Sequence, residues 1–187
     1  MSDLYCYSGT DVLRNIENIR DPEELAIFER SATVSRIETL PTDFPISPDG
    51  YRAIHRYLFQ DIYDWAGEYR VVDIARAENL FCLAPYIAQE LAKRFKVIQA
   101  ESNLCGLSAR EFAARAAEHV IELNAIHPFR EGNGRTLRAF LFVLARQAGL
   151  DIKMERIDAV RWNEASRVSF RTGDSQAMRD IIVNAIR

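Results

Sequence analysis

Between Ser108 and Gly149 two strongly apolar stretches of helical period flank a short polar segment that carries two glycines. No other feature narrows the possible folds as far. Ser108-Ala109-Arg110-Glu111 has the form of a capping box, and Phe112, Ala116, Val120 and Leu123 follow on one helical face. Pro128 disfavours the α region for His127, so this helix must stop there. After Phe129-Arg130-Glu131-Gly132-Asn133-Gly134-Arg135 a second helix starts. It carries Leu137, Phe140, Leu141, Leu144 and Ala148 and is closed by Gly149.

The remaining pattern is also helical. Asp21-Pro22-Glu23-Glu24 combines an N-cap aspartate, proline in the first turn and early acids, and Leu25, Phe28, Ala32 and Ile37 give that helix a buried face. Pro41, Pro45 and Pro48 make residues 40–48 a loop. Ser47-Pro48 opens a helix carrying Ile54, Leu58, Ile62 and Trp65, with Gly67 expected to end it. Residues 69–83 read as a β-hairpin, because Tyr69–Ile74 is β-branched and aromatic and Leu80–Leu83 is a second apolar run. Pro85 starts a helix with Ile87, Leu91, Phe95 and Ile98 on one face. Two amphipathic helices, about 155–170 and 174–186, complete the chain. The expected fold class is all-α, a helical bundle with one hairpin. At 187 residues the chain fits one domain, residues 1–46 forming a lead and first helix and 47–187 the core.

Composition excludes several functions. Hydrophobic residues make up 48% and charged residues 27%, with a net charge of −3; that balance is globular and argues against a nucleic-acid coat. The longest apolar run, Ala139–Ala145, is far short of the ~20 residues that span a bilayer, and the acidic N-terminus resembles no secretory signal. Cys6, Cys82 and Cys105 form no CxxC pair, so neither a disulfide scaffold nor a zinc site is expected and a reducing, cytoplasmic location is the default. Only three basic residues are lysine; arginine is the better bidentate partner for oxyanions.

The chemistry concentrates in Ile126–Arg138. Gly132 and Gly134 free the backbone to turn N–H groups toward a ligand at a helix N-terminus, where the dipole favours phosphate. Arg135 and Arg138 lie three apart, on one face near that end, and can clamp further phosphate oxygens. Asn133 can donate to a bridging phosphate oxygen. Glu131 among phosphate ligands is repulsive unless a cation intervenes, which makes it the candidate ligand for Mg²⁺ or Mn²⁺. His127 is the candidate general base. Phe129 reads as an apolar anchor and Arg130 as a solvated side chain. His55 reads as surface or boundary packing and His119 as structural. No Walker A motif is present, and Gly132-x-Gly134 lacks the rest of a dinucleotide fingerprint.

The segment His127-Pro128-Phe129-Arg130-Glu131-Gly132-Asn133-Gly134-Arg135-Thr136-Leu137-Arg138 resembles the Fic signature, H-x-F-x-(D/E)-G-N-(G/K)-R-x-x-R, at every fixed position. Leu58–Gly67 and residues 5–20 resemble Fic segments as well. The resemblance implies a Fic fold with a hairpin flap beside the loop, and AMPylation, the transfer of AMP from ATP to a Ser, Thr or Tyr hydroxyl of a protein. His127 would be the base, Glu131 the metal ligand, Gly132, Asn133 and Gly134 the anion hole, and Arg135 and Arg138 the β- and γ-phosphate grip. Ile74, Ala75, Arg76, Asn79 and Phe81 would dock the target, and Trp162 and Asn163 would form the adenine side. The family's intramolecular inhibitory motif, (S/T)-x-x-x-E-(G/N), has no counterpart in the chain. The resemblance then implies the toxin of a toxin–antitoxin pair, whose antitoxin carries that helix, with a type II topoisomerase subunit as target. Phosphotransfer, phosphocholine transfer and a silent nucleotide-binding scaffold are the alternatives. The location implied is cytoplasmic, or host-cell cytoplasmic if the chain is the front of a secreted effector; neither membrane nor direct nucleic-acid binding is expected.

Overall fold

The computed structural model describes residues 3–76 and 79–186. They form a mostly helical molecule with seven α-helices among the described residues: α1 Pro22–Glu38, α2 Pro48–Phe59, α3 Ile87–Ala100, α4 Ala109–Ile126, α5 Asn133–Gln147, α6 Ala159–Thr172 and α7 Gln176–Ala185. Side-chain caps set four of the starts. Asp21 accepts from the backbone N–H of Glu23 and Glu24, Ser47 from Gly50, and Asp158 from Arg161. The Ser108–Glu111 capping box is complete. Each such cap contributes about 1 kcal/mol by satisfying donors that the helix cannot.

Helix α4 is the centre of the bundle and packs against α3, α5, α6 and α7. Ala113, Ala116 and Ala117 are fully buried, and their small side chains let neighbouring helices approach closely. Helix α2 lies against α1, α3 and α5, so its buried face, with Tyr51, Ile54, His55, Leu58 and Phe59, forms the floor beneath the α4–α5 connection. One apolar cluster extends from Cys6 to Ile186. The N-terminal lead is held by a bridge between Cys6 and Leu13, and Ile152 pairs likewise with Ile186.

Three boundaries differ from the sequence expectation. Helix α2 ends at Phe59 and does not continue to Gly67. The carbonyl of Ile62 accepts from Ile16 N–H at 2.9 Å, and residues 60–67 pass into turns. The hairpin expected over 69–83 is reduced to two strands, β1 Ala75–Arg76 and β2 Asn79–Leu80, paired Ala75 with Leu80 and Arg76 with Asn79; the intervening Ala77 and Glu78 lie outside the described residues. The flanking backbone has other partners. Next to the strands Phe81 N–H still donates to Ile74 at 3.3 Å, but farther out Arg70 N–H donates to Pro128 and Cys82 N–H to Ala125, so the outer arms of this segment are bonded to the end of α4 and the residue that follows it. Helix α6 starts at Ala159, after a short 3₁₀ turn over Met154–Arg156, because Asp158 supplies the cap.

Candidate active site

The α4–α5 connection is fixed from below before it offers anything to a ligand. Phe129 is fully buried, stacked on His55 at 3.9 Å between ring centroids and tilted against Tyr51, the anchor its position suggested. Asn133 is also buried. Its Oδ1 accepts from Phe129 N–H at 2.9 Å and its Nδ2 donates to the Phe129 carbonyl at 2.8 Å. The carboxamide thus staples the loop with its oxygen and one of its two Nδ2 protons, and the backbone N–H of Asn133 lies at the start of α5. Gly132 has φ +79°, and a Cβ there would lie 2.3 Å from Cζ of Phe59. Both conformation and space therefore demand glycine. Gly134 has no such constraint; a Cβ would meet only Nη1 of Arg138, at 3.8 Å. Thr136, fully buried, ties its Oγ1 to the Gly132 carbonyl.

His55 was read as boundary packing and is instead fully buried. Its Nδ1 accepts from Gly67 N–H at 2.8 Å, so Nε2 carries the proton and donates to the Glu131 carbonyl at 3.1 Å. Burial lowers its pKa to about 3. The histidine thus stays neutral and pins the loop at the candidate metal ligand.

His127 is the C-cap of α4, with φ 49° and ψ 62°: Pro128 bars it from continuing the helix, and the chain leaves through a left-handed C-cap. Its Nδ1 lies 3.1 Å from the Asn124 carbonyl. A carbonyl only accepts, so Nδ1 is a protonated nitrogen, and in the neutral imidazole the lone pair is on Nε2. Phe81 stacks on the imidazole at 3.9 Å and 15° and is itself met edge-on by Phe170. Phe81 was expected to dock a target; it is buried and covers the histidine.

The charged groups divide into satisfied and open. Glu131 is partly exposed; its Oε1 accepts from Gly132 N–H at 2.8 Å and lies 3.4 Å from Nη2 of Arg135. Arg135 also pairs with Glu29 of α1, reaches Thr33 and stacks over Phe59. Glu29 in turn accepts from the Tyr63 hydroxyl. Arg138 has no carboxylate within ion-pair distance among the described residues. Burial first, and then the charge of Arg135, lower its pKa. It faces a groove of about 440 Å³ lined by Glu38, Leu40, Arg135, Phe142, Arg146 and Lys153 among others. A poorly solvated cation of this kind gains strongly from an anion.

Other expected residues fall elsewhere. Trp162 is buried in the core, with no ring face open to solvent in this structure, and Asn163, about 100° further round α6, is exposed. Arg130 is not merely solvated: it pairs with Asp3 at 2.6 Å and holds the N-terminal lead to the loop. His119 is structural as expected, buried with Nε2 3.2 Å from Glu101. Ala75 and Leu80 are exposed and Ile74 is half-buried, whereas the side chains of Arg76 and Asn79 lie outside the described set. No group of three or more His, Cys, Asp or Glu gathers as a metal cluster among the described residues. A single exposed carboxylate still suits Mg²⁺, which takes one or two carboxylates and completes its shell with substrate phosphates.

Comparison with known proteins bears on the family and the fold. A family profile described as Fic/DOC matches residues 45–145. The chain is 41% identical over 175 residues to a probable protein adenylyltransferase, y4lH, of Sinorhizobium fredii, covering 93% of this chain and 91% of that protein. It is 38% identical to the protein adenylyltransferase VbhT of Bartonella schoenbuchensis, spanning 97% of this chain and 38% of that longer protein. Among solved structures it is similar to BepC, a VirB-translocated effector of Bartonella tribocorum crystallised with AMPPNP. The TM-score is 0.89 at 29% identity, covering 98% and 96% of the two chains.

Proposed function

Because the chain belongs to the Fic/DOC family, we propose that it is a protein adenylyltransferase that moves AMP from ATP to a Ser, Thr or Tyr hydroxyl of a target protein. The observation that carries this reading is the pairing of an oriented base with an anion site on one loop. His127 has Nδ1 committed to Asn124, and the next helix starts beside it with Arg138 facing the groove. The Nε2 lone pair takes the proton of the hydroxyl. The hydroxyl oxygen then bonds to the α-phosphorus, the bond from that phosphorus to the bridging oxygen breaks, and pyrophosphate leaves. Backbone N–H groups of Asn133 and Gly134 stabilise the phosphates at the positive end of α5, and that of Gly132, which donates to Glu131 in this structure, would join them on release. Arg135 and Arg138 neutralise the β- and γ-phosphates. Glu131 would hold Mg²⁺ or Mn²⁺, whose charge, when bound, offsets that of the α- and β-phosphates.

The target segment would add to the open edge of Ala75–Leu80, where Ala75 and Leu80 are exposed. A type II topoisomerase subunit is the target class the family resemblance implies. The same resemblance, with no (S/T)-x-x-x-E-(G/N) in the sequence, supports a toxin controlled by a separate antitoxin acting in the cytoplasm. The partial coverage of VbhT and the likeness to a translocated effector support the alternative, the front part of an effector acting in a host cell.

The test is incubation of the purified chain with labelled ATP and Mg²⁺, followed by mass spectrometry of the modified protein. An adenylyl adduct is expected, lost in excess chelator. His127→Ala should lower transfer about 10²–10⁴-fold while ATP still binds. A phosphoryl-sized adduct, or undiminished transfer by His127→Ala, sinks the assignment.

A further inference from the structure

Arg70 is 2% exposed and among the largest fully buried side chains of the molecule. Its guanidinium is surrounded by carbonyls from two separate parts of the chain. Nε donates to His127 at 2.9 Å and Nη2 to Ile126 at 3.3 Å, both at the C-terminal end of α4. Nη2 also donates to Cys82, and Nη1 to Val72 at 2.7 Å. The backbone N–H of Arg70 donates to Pro128 at 2.9 Å. We propose that Arg70 is a positioning residue for His127, setting the base and the aromatic ring that covers it through one planar group. The proposal rests on the reading of His127 as general base.

A buried charge is costly unless its hydrogen-bonding capacity is met. Here the carbonyls of the last turn of α4 meet it, at the negative end of that helix. Stability alone would be served by any such cage. The identity of the carbonyls argues for more. His127 leaves the helix in a left-handed conformation, and its own carbonyl is fixed by Nε. Cys82 is the neighbour of Phe81, whose ring lies 3.9 Å over the imidazole. Val72 and Cys82 bracket the paired residues Ala75–Leu80. The base, its aromatic cover and both arms of the short β-segment thus share one rigid donor. Lysine would keep the charge but cannot direct donors to four carbonyls in fixed directions. Displacing a reacting group by about 1 Å costs on the order of 10²-fold in rate.

The experiment compares wild type, Arg70→Lys and Arg70→Ala. Transfer kinetics should show kcat down tenfold or more in both variants, with KM for ATP within about twofold of wild type. Millimolar guanidinium should restore part of the rate to Arg70→Ala and none to Arg70→Lys. Independently of transfer, ¹⁵N resonances of the His127 imidazole should move in Arg70→Lys while those of His119 stay. If the wild type transfers nothing, the enzymatic reading fails and the imidazole resonances alone decide the role of Arg70. Unchanged His127 resonances, or kcat equal to wild type, overturn the proposal. So does unfolding of both variants without recovery in guanidinium, which would make Arg70 a strut and no more.

Discussion

The three histidines show how far environment decides what one side chain does. His127 donates from Nδ1 to Asn124, His119 braces Glu101, and His55 must stay neutral to accept from Gly67 while donating to Glu131. For His55 the sign of the pH effect follows directly. Its folded pKa, about 3, lies below the ordinary ~6.5, so between those values the unfolded chain binds the extra proton and stability falls as pH falls. At pH 5 the loss from His55 should be about 2 kcal/mol. His119 is lowered by burial too and acts in the same direction. Urea unfolding at pH 7 and pH 5 should therefore show a smaller pH dependence in His55→Gln than in wild type; an identical dependence would remove the buried-neutral assignment. Gly132 gives a second prediction at this scale. Gly132→Ala faces a left-handed φ and a clash with Phe59, so the thermal midpoint should drop with a destabilisation of about 2–4 kcal/mol. An unchanged melting curve would mean that the α2–loop contact is slack.

At the scale of elements, helices were legible where a cap was adjacent to its helix. Asp21, Ser47 and Ser108 mark starts in the sequence and in the structure alike. The loop was legible because its functional groups are consecutive. The strands at 69–83 were over-read, since β-branched composition cannot reveal that Arg70 and Cys82 take backbone partners from residues 125–128. The burial of Trp162 was not legible, because a helical pattern does not say which neighbours cover an aromatic ring. The same limit hid the role of α1. It lies outside the matched stretch 45–145, yet Glu29 reaches Arg135 and Tyr63. If Arg135 grips a phosphate, as proposed above, a carboxylate on it competes with that phosphate for the same donors. Glu29→Gln keeps the hydrogen-bonding shape and deletes the charge, so ATP should bind about fivefold more tightly, corresponding to roughly 1 kcal/mol for a partly screened pair. Calorimetric titration decides it: weaker binding would mean that Glu29 orients Arg135 instead of opposing the ligand.

The molecule as a whole presents its two motif arginines differently, and regulation follows from that difference. Arg135 is engaged by the chain's own first helix, whereas Arg138 opens on the groove between α1, α5 and residues 151–155 with no carboxylate within ion-pair distance among the described residues. A partner helix lying in the groove and bringing one glutamate to Arg138 would form a bidentate, charge-assisted pair. That pair would occupy the donors proposed for the γ-phosphate and leave ATP in a pose unsuited to in-line attack. Expression of this chain alone should then be harmful to a cell, and co-expression with the partner harmless. Replacing the partner's glutamate by glycine should restore transfer without dissolving the complex, because one ion pair is a small part of an interface of ~1,600 Å². Arg138→Ala should weaken ATP binding and make whatever transfer remains insensitive to the partner's glutamate, since the two ligands compete for the same guanidinium. The measurement is auto-modification with labelled ATP, with and without the partner, in wild type and Arg138→Ala. An isolated chain that is inert until one of its own segments is deleted would place the inhibitor inside the chain and end the two-component reading.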